Sequence, residues 1–363
     1  MPDALRQSIV AEADPIVVKV GTRVLTAADG ALDAERVAAI AEQVARLADA
    51  GRRVVLVSSG AVGAGIGRLA LEHRPTDVAQ LQAAAAVGQS RLIEAYNWQF
   101  ERHGRHAAQV LLSDDDVNDR RRYLNIRNTL HALFRFGATP VVNQNDTVQV
   151  DELQRTVGDN DHLAAIVTNL LRAPLLVLLS DVDGLYDRPP GEPGATVIPT
   201  VESIDDSLDA GLEVGGPGQG GHGQVGLGQV GPGQVGDASR PGPQLSVGGM
   251  ASKLAAARIA TAAGENVIIA GGRRPNVLTD ILAGEPVGTL LLAQGDAVSS
   301  RKRWIGSAAK PRGVLRLDAG ACRAVVEKGS SLLPIGIVGV EGDFAAGDVV
   351  ALVSDAANDS IAG

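Results

Sequence analysis

RRVVLVSSGAVGAG, residues 52–65, decides how the chain folds. An apolar run from Val54 to Val57, mostly β-branched, ends in two serines and a series of glycines. Such a run reads as a buried strand running into a glycine-rich turn. The pattern recurs in PIVVKVG (15–21), AAQVLLS (107–113), TPVVNQND (139–146), PLLVLLSDVDG (174–184) and NVIIAGG (266–272). Helical spacing fills the intervals. In LDAERVAAIAEQVARLADAG (32–51), Val37, Ile40, Val44 and Leu47 share a face, and Gly51 reads as the C-cap. Helical text also covers 77–100, 118–137 with Tyr123, Ile126, Leu130 and Phe134 on one face, 161–171 and 250–264. Strands alternating with helices predict an α/β fold with a mainly parallel sheet covered on both faces.

Right-handed crossovers bring the strand-to-helix turns to one sheet edge. VKVGT, SSGAVGAG, NQND and LLSDVDG all fall at carboxyl ends of strands, and VGDND (157–161) precedes a helix on the same side. Ligands of open α/β sheets bind there. The polar residues of five separate segments are therefore expected to converge.

The whole chain has 363 residues, which fits two domains. It is 45% hydrophobic and 2% aromatic, so its core is built from Ala, Val, Leu and Ile. A net charge of -9 argues against a dedicated nucleic-acid binder. A lone cysteine, Cys322, excludes an internal disulfide and fits a reducing compartment. The N-terminal MPDALRQSIVAEADP lacks the basic start and apolar run of a signal peptide, and no apolar stretch reaches membrane-spanning length. The expectation is a soluble cytoplasmic protein.

Residues 215–246 stand apart, with GQVGL, GQVGP and GQVGD repeating every five residues. Rich in Gly and Pro, this segment is expected to be a flexible insertion, which loop-closure entropy tolerates. Residues 293–312 read as a linker. Beyond them GVLRLDAG, SSLLPIGIVGVEG and DVVALVS read as a small β-rich domain over 313–363.

No GxxxxGK[ST] loop is present, and SSGAVGAGIG does not fit the dinucleotide fingerprint. Six scattered histidines and one cysteine offer no metal cluster. What remains is lysines, glycine loops and carboxylates. Lys19 sits inside an apolar strand, which is costly unless it emerges at an edge or meets an anion. Lys253 follows a glycine pair at the start of a helix, where backbone amides and an ammonium can share a phosphate, although an ordinary surface lysine is the plainer alternative. The Asp159-Asn160-Asp161 group has a plain reading as a helix cap, but capping needs only one of the three.

VVKVGT, VSSGAVGAG, AAVGQSRL, VVNQND, VGDND, LLSDVDGLY and GGMASK, in this order, resemble the amino-acid kinase family, in its branch that phosphorylates glutamate. The resemblance spans about Ile16 to Leu292, a kinase domain over 1–292, and RKRWI and GSSLLPIGI continue it into an appended PUA domain. It implies an amino-acid-kinase-like sandwich. It also implies transfer from ATP, with Mg²⁺, to the γ-carboxylate of L-glutamate, the first step of proline biosynthesis. Lys19 and Lys253 then stabilise the transferred charge, with Asp159 and Asp161 as organisers. Ser59, Gly60, Asn143, Asp146 and Asn160 contact the substrate. Ser180 and Asp181 form one nucleotide turn, and Gly248, Gly249, Met250, Ala251, Ser252 and Lys253 the other, with Lys19 also at the ATP. No protein ligand of Mg²⁺ is assigned. Feedback inhibition by proline near 113–128 and 143–160, a homodimer or homotetramer, and coupling to glutamyl phosphate reductase are further implications.

The chain departs from the family pattern in places. NEND of the family is Asn143-Gln144-Asn145-Asp146 here, the insertion abuts the second nucleotide loop, and the end at NDSIAG implies a PUA domain either incomplete or closed differently. Two competing readings are another enzyme of the same superfamily, such as an acetylglutamate or aspartate kinase, and an RNA-binding protein. The PUA-like text argues against the first. The shortness of the basic cluster Arg301-Lys302-Arg303 argues against the second.

Overall fold

The computed structural model describes residues 3–27, 30–148, 159–190, 192–204, 249–294, 304–306, 308–355 and 360–361. The insertion at 215–246, Gly248 and the 301–303 cluster lie outside the described residues.

The strands are β1 Ile16–Val20, β2 Val54–Ser58, β3 His106–Leu112, β4 Ala138–Gln144, β5 Leu175–Ser180, β6 Thr200–Val201, β7 Asn266–Gly271 and β8 Thr289–Leu291. They form one sheet in the order β3-β4-β2-β1-β5-β7-β8-β6. Pairing is parallel throughout except between β7 and β8. The mainly parallel sheet expected from the alternation is present. The short antiparallel β8 and the two-residue β6 have no signal strong enough to read in advance.

The larger helices of this domain are α1 Ala4–Glu12, α2 Thr22–Leu25, α3 Ala34–Asp49, α4 Ala61–Arg68, α5 Val78–Glu101, α6 Asp114–Asn118, α7 Arg120–Arg135, α8 Asp159–Leu171, α9 Met250–Ala262 and α10 Val277–Leu282. Side chains alternate between the two sheet faces. Ile16, Val18 and Val20 of β1 join one core with α3 residues Val37, Ile40 and Val44. Val17, one register away, joins the other core with Leu163 and Val167 of α8 and Leu254 and Ala257 of α9. Period two puts Lys19 on the Val17 face, under α8 and α9, so the strand itself aims the lysine at the site.

The glycine-rich text after β2 is a correction to its reading as a turn. Only Gly60 turns the chain, with φ of 102° as the N-cap of α4. Gly63, Gly65 and Gly67 lie within that helix. The lack of a side chain at Gly65 and Gly88 brings α4 against α5: a Cβ on Gly65 would stand 1.8 Å from the Ala84 carbonyl oxygen, and one on Gly88 would stand 1.8 Å from that of Ala61. Gly88→Ala therefore forces two backbones apart. It is expected to lower stability by about 3 kcal/mol, at the upper end of overpacking costs, read as a shift of the urea midpoint.

A second sheet of four strands, β9 Gly313–Leu317, β10 Ile337–Gly342, β11 Ala351–Ser354 and β12 Ser360–Ile361, has the order β10-β9-β11-β12. A helix, α11 Ala319–Val326, follows β9. Part of the stretch before β9 is bound down. Trp304 is 7% exposed and belongs to the second core of the large sheet, with Ala308. Its indole N–H donates to the Val117 carbonyl at 3.1 Å. The Arg120 guanidinium lies over both the Tyr123 and Trp304 rings. No helix among the described residues is long and apolar enough to cross a membrane.

Candidate active site

The carboxyl ends of β1, β2, β4 and β5 meet the first turns of α8 and α9, as the crossover rule requires. α8 opens on Asp159, so Asn160 and Asp161 stand in its first turn. Their side chains bond to other segments and not to the amides of their own helix.

Asp161 is fully buried. It pairs with the Lys19 ammonium at 2.6 Å and lies 3.9 Å from that of Lys253. The Ser252 hydroxyl donates to it at 2.8 Å. Both lysines are themselves buried. Burial pulls the Lys253 ammonium below its ordinary value. Asp161 opposes this, and the neighbouring Lys19 adds to it. Two buried ammonium groups face this one carboxylate, and buried charge is stabilised by counter-charge. A polyanion such as a triphosphate has the chemistry to supply it.

Beside this cluster, Ser180 closes β5 and its hydroxyl donates to Asp181 at 3.1 Å. Asp181 also pairs with Arg23 at 2.8 Å. Burial pushes the Asp181 carboxyl up, but the bonds from Arg23, its own amide and Ser180 outweigh this and hold it below the usual range. Gly249, Met250, Ala251, Ser252 and Lys253 form the N-cap and first turn of α9, so their backbone amides point out of the helix start. Gly248 lies outside the described residues.

Next to Asp161, the Asn160 side-chain amide donates to the Ser59 hydroxyl at 2.9 Å and to Asn143 Oδ1 at 3.0 Å. Gly60 follows as the cap of α4. Asp146 lies past the end of β4, and its charge acts on the Arg74 guanidinium. Behind Ser59, the Ser58 hydroxyl and the Tyr96 phenol lie 3.1 Å apart, and burial lifts that phenol to about 12.

The structure thus brings together Lys19, Asp161, Lys253 and Ser252, then Asn160, Ser59 and Asn143, with Ser180 and Asp181 alongside. Asp146 stands at the rim. The side chain of Asp159 is outside the described residues. The sequence reading missed three members. Arg23 sits one residue beyond the VVKVGT motif. Arg74 lies in a loop with no local pattern. Gln89, inside the AAVGQSRL motif, accepts from the Asn143 amide at 2.8 Å. No group of three or more His, Cys, Asp or Glu residues able to hold a metal occurs among the described residues.

A buried pair of lysines flanking one carboxylate, between two glycine-edged turns of a parallel sheet, is equipment for phosphoryl transfer without a P-loop. The family profile described as "Amino acid kinase family" matches residues 14–271, and the one described as "PUA domain" matches residues 313–362. The chain belongs to the amino acid kinase family and carries a PUA domain behind the kinase fold. It is 46% identical over 350 residues to the Glutamate 5-kinase of Rhodopirellula baltica, covering 96% of this chain and 83% of that one. It is likewise 46% identical over 343 residues to the Glutamate 5-kinase of Streptomyces coelicolor, covering 94% and 84%. A far weaker likeness, at 14% identity and a TM-score of 0.48, is to the UMP kinase from Ureaplasma parvum, over 77% of this chain and 99% of that one.

Proposed function

We propose that the protein transfers the γ-phosphoryl group of ATP to the γ-carboxylate of L-glutamate, yielding ADP and L-glutamyl 5-phosphate, the first step of proline biosynthesis. The observation that carries this reading is the Lys19–Asp161–Lys253 cluster, joined at its edge to the Asn160–Ser59–Asn143 network. The near-full-length Glutamate 5-kinase relatives supply the substrate.

In this reaction a carboxylate oxygen forms a bond to the γ-phosphorus. The bond from that phosphorus to the bridging oxygen breaks, and its electron pair leaves with ADP. The attacking carboxylate is already ionised near neutral pH, so no general base is needed. Positioning and charge stabilisation do the catalysis. Lys19 and Lys253 take the charge on the peripheral oxygens of the transferred group. Asp161 holds both ammonium groups in place, and Asp159 is assigned the same organising role. Ser59, Gly60, Asn143, Asp146 and Asn160 seat the glutamate. Ser180, Asp181 and the 248–253 turn, with Lys19, seat the ATP. Mg²⁺ accompanying the ATP would supply further charge neutralisation, with no residue assigned as its ligand. A cytoplasmic homo-oligomer, inhibited by proline and delivering its product to glutamyl phosphate reductase, completes the proposal.

The test is ADP release with ATP and Mg²⁺ across glutamate, N-acetylglutamate, aspartate and carbamate, with hydroxylamine trapping the acyl phosphate. Hydroxamate from glutamate alone is expected. Turnover with another member of the panel and none with glutamate would overturn the substrate. Within this reading Asp146→Ala removes one charged contact to the substrate ammonium. It is expected to raise KM for glutamate about 10- to 100-fold with little change in kcat, as steady-state kinetics would report.

A further inference from the structure

Asn143 carries a bond that fixes more than its own side chain. Its Oδ1 accepts from the backbone N–H of Gln144 at 2.9 Å. A backbone amide has one sense only, so this contact identifies the oxygen end of Asn143. The neighbours then follow. Asn160 must present its NH2 to that oxygen, and does so at 3.0 Å while also donating to Ser59. Gln89 must present its oxygen to the Asn143 NH2, and does so at 2.8 Å. Three side-chain amides are thereby aligned by one backbone N–H.

The chain has two open ends of opposite character. Asn160 Oδ1 is a buried acceptor and Gln89 Nε2 a buried donor, and neither has a partner among the described residues. Gln89 is only 8% exposed. Its place is fixed by the adjacent Gly88, packed against the Ala61 carbonyl at the start of α4, immediately after Ser59 and Gly60. Buried polar atoms are rarely left unmatched, so an unmatched pair beside a ligand crevice points to a ligand carrying the complementary pair.

We propose that Gln89 is a substrate-binding residue, and that the Gln89–Asn143–Asn160 chain recognises the zwitterionic end of the amino acid. Asn160 Oδ1 accepts from the α-ammonium and Gln89 Nε2 donates to the α-carboxylate. This rests on the reading of the substrate as glutamate, and adds the means by which its α-carbon end is told from that of related acids. A neutral donor also suits the place. It holds a carboxylate without adding a third cation beside the lysines that serve the transferred phosphoryl group.

The test is Gln89→Glu, assayed by hydroxylamine trapping with L-glutamate and with its α-carboxamide, L-isoglutamine. The substitution keeps the shape and still accepts from Asn143, but it replaces the donor by a negatively charged acceptor. The expected result is a fall of about 100-fold in kcat/KM for glutamate, mostly through KM, with isoglutamine and the KM for ATP changed less than about threefold. An equal loss for both substrates, or no loss for either, overturns the proposal. If isoglutamine is inert throughout, the glutamate kinetics decide: raised KM at preserved kcat supports the contact, and lowered kcat at preserved KM overturns it. Should Gln89→Glu not fold, Gln89→Met keeps the volume without a donor and is judged by the same ratio. Failure of the unaltered protein to form hydroxamate from glutamate is a separate event, seen before any variant is made, and it removes the substrate reading together with this one.

Discussion

Lys253→Ala is expected to lower kcat about 10²- to 10³-fold while KM for glutamate stays within about threefold. The ammonium lies 3.9 Å from Asp161, in the first turn of α9, whereas the amino acid is proposed to sit at the Asn160–Ser59–Asn143 network. Its contact matters most when charge spreads over the transferring oxygens, so its loss belongs in kcat. A pH profile sharpens the case. Burial holds this ammonium below its ordinary 10.5. The alkaline limb of kcat/KM for ATP is therefore expected to begin at a lower pH than an exposed lysine would give, and to vanish in Lys253→Arg, whose guanidinium stays charged. The stability sign runs the other way. Between the depressed folded value and 10.5 the unfolded chain binds more protons, so the cost of burying this charge is present at neutral pH and is relieved as pH rises through that window. A 10-fold change in glutamate KM with kcat intact would place Lys253 at the amino acid instead.

Asp161→Asn is expected to cost about 3–5 kcal/mol of folding stability and to abolish measurable turnover. The carboxylate is fully buried, pairs with Lys19 at 2.6 Å and accepts from Ser252 at 2.8 Å. Asparagine keeps the shape but removes the charge that faces both buried ammonium groups. Urea denaturation measures the effect. Addition of ATP is expected to recover part of it, because bound polyanion supplies the missing counter-charge. A midpoint equal to that of the parent would show that Asp161 is not the counter-ion of the pair.

Much of this architecture was legible because two local rules act before any packing does. A β-branched run closed by glycine marked Val54–Val57 as a strand, and period two set Lys19 on the face of Val17. The crossover rule then sent five separate motifs to one edge. What stayed hidden depended on tertiary proximity. Gly63, Gly65 and Gly67 read as a turn because glycine has low helix propensity. The need for them comes from Gly30, Ala84 and Ala31, which lie against Gly63, Gly65 and Gly67 in turn and which the text of residues 60–67 does not contain. Gln89 lies inside the AAVGQSRL motif, but only its bond to Asn143 brings it to the site. Arg23 is tied to Asp181, far along the sequence, by an ion pair no spacing announces. The antiparallel β8 has three residues, too few for a period.

The anchoring of Trp304 has a practical consequence for separating the two halves of the chain. A cut after residue 292, where the motif resemblance stops, removes a side chain that belongs to the core of the larger sheet. It strips the Val117 carbonyl of its indole donor and takes away one of the two rings over which Arg120 lies. The piece left behind would carry an apolar scar next to α6, and its aggregation or weakened activity would be misassigned to loss of the PUA domain. The dissection that respects the packing keeps residues through Ala309 with the kinase half, so that the module removed begins where its own sheet begins, at Gly313.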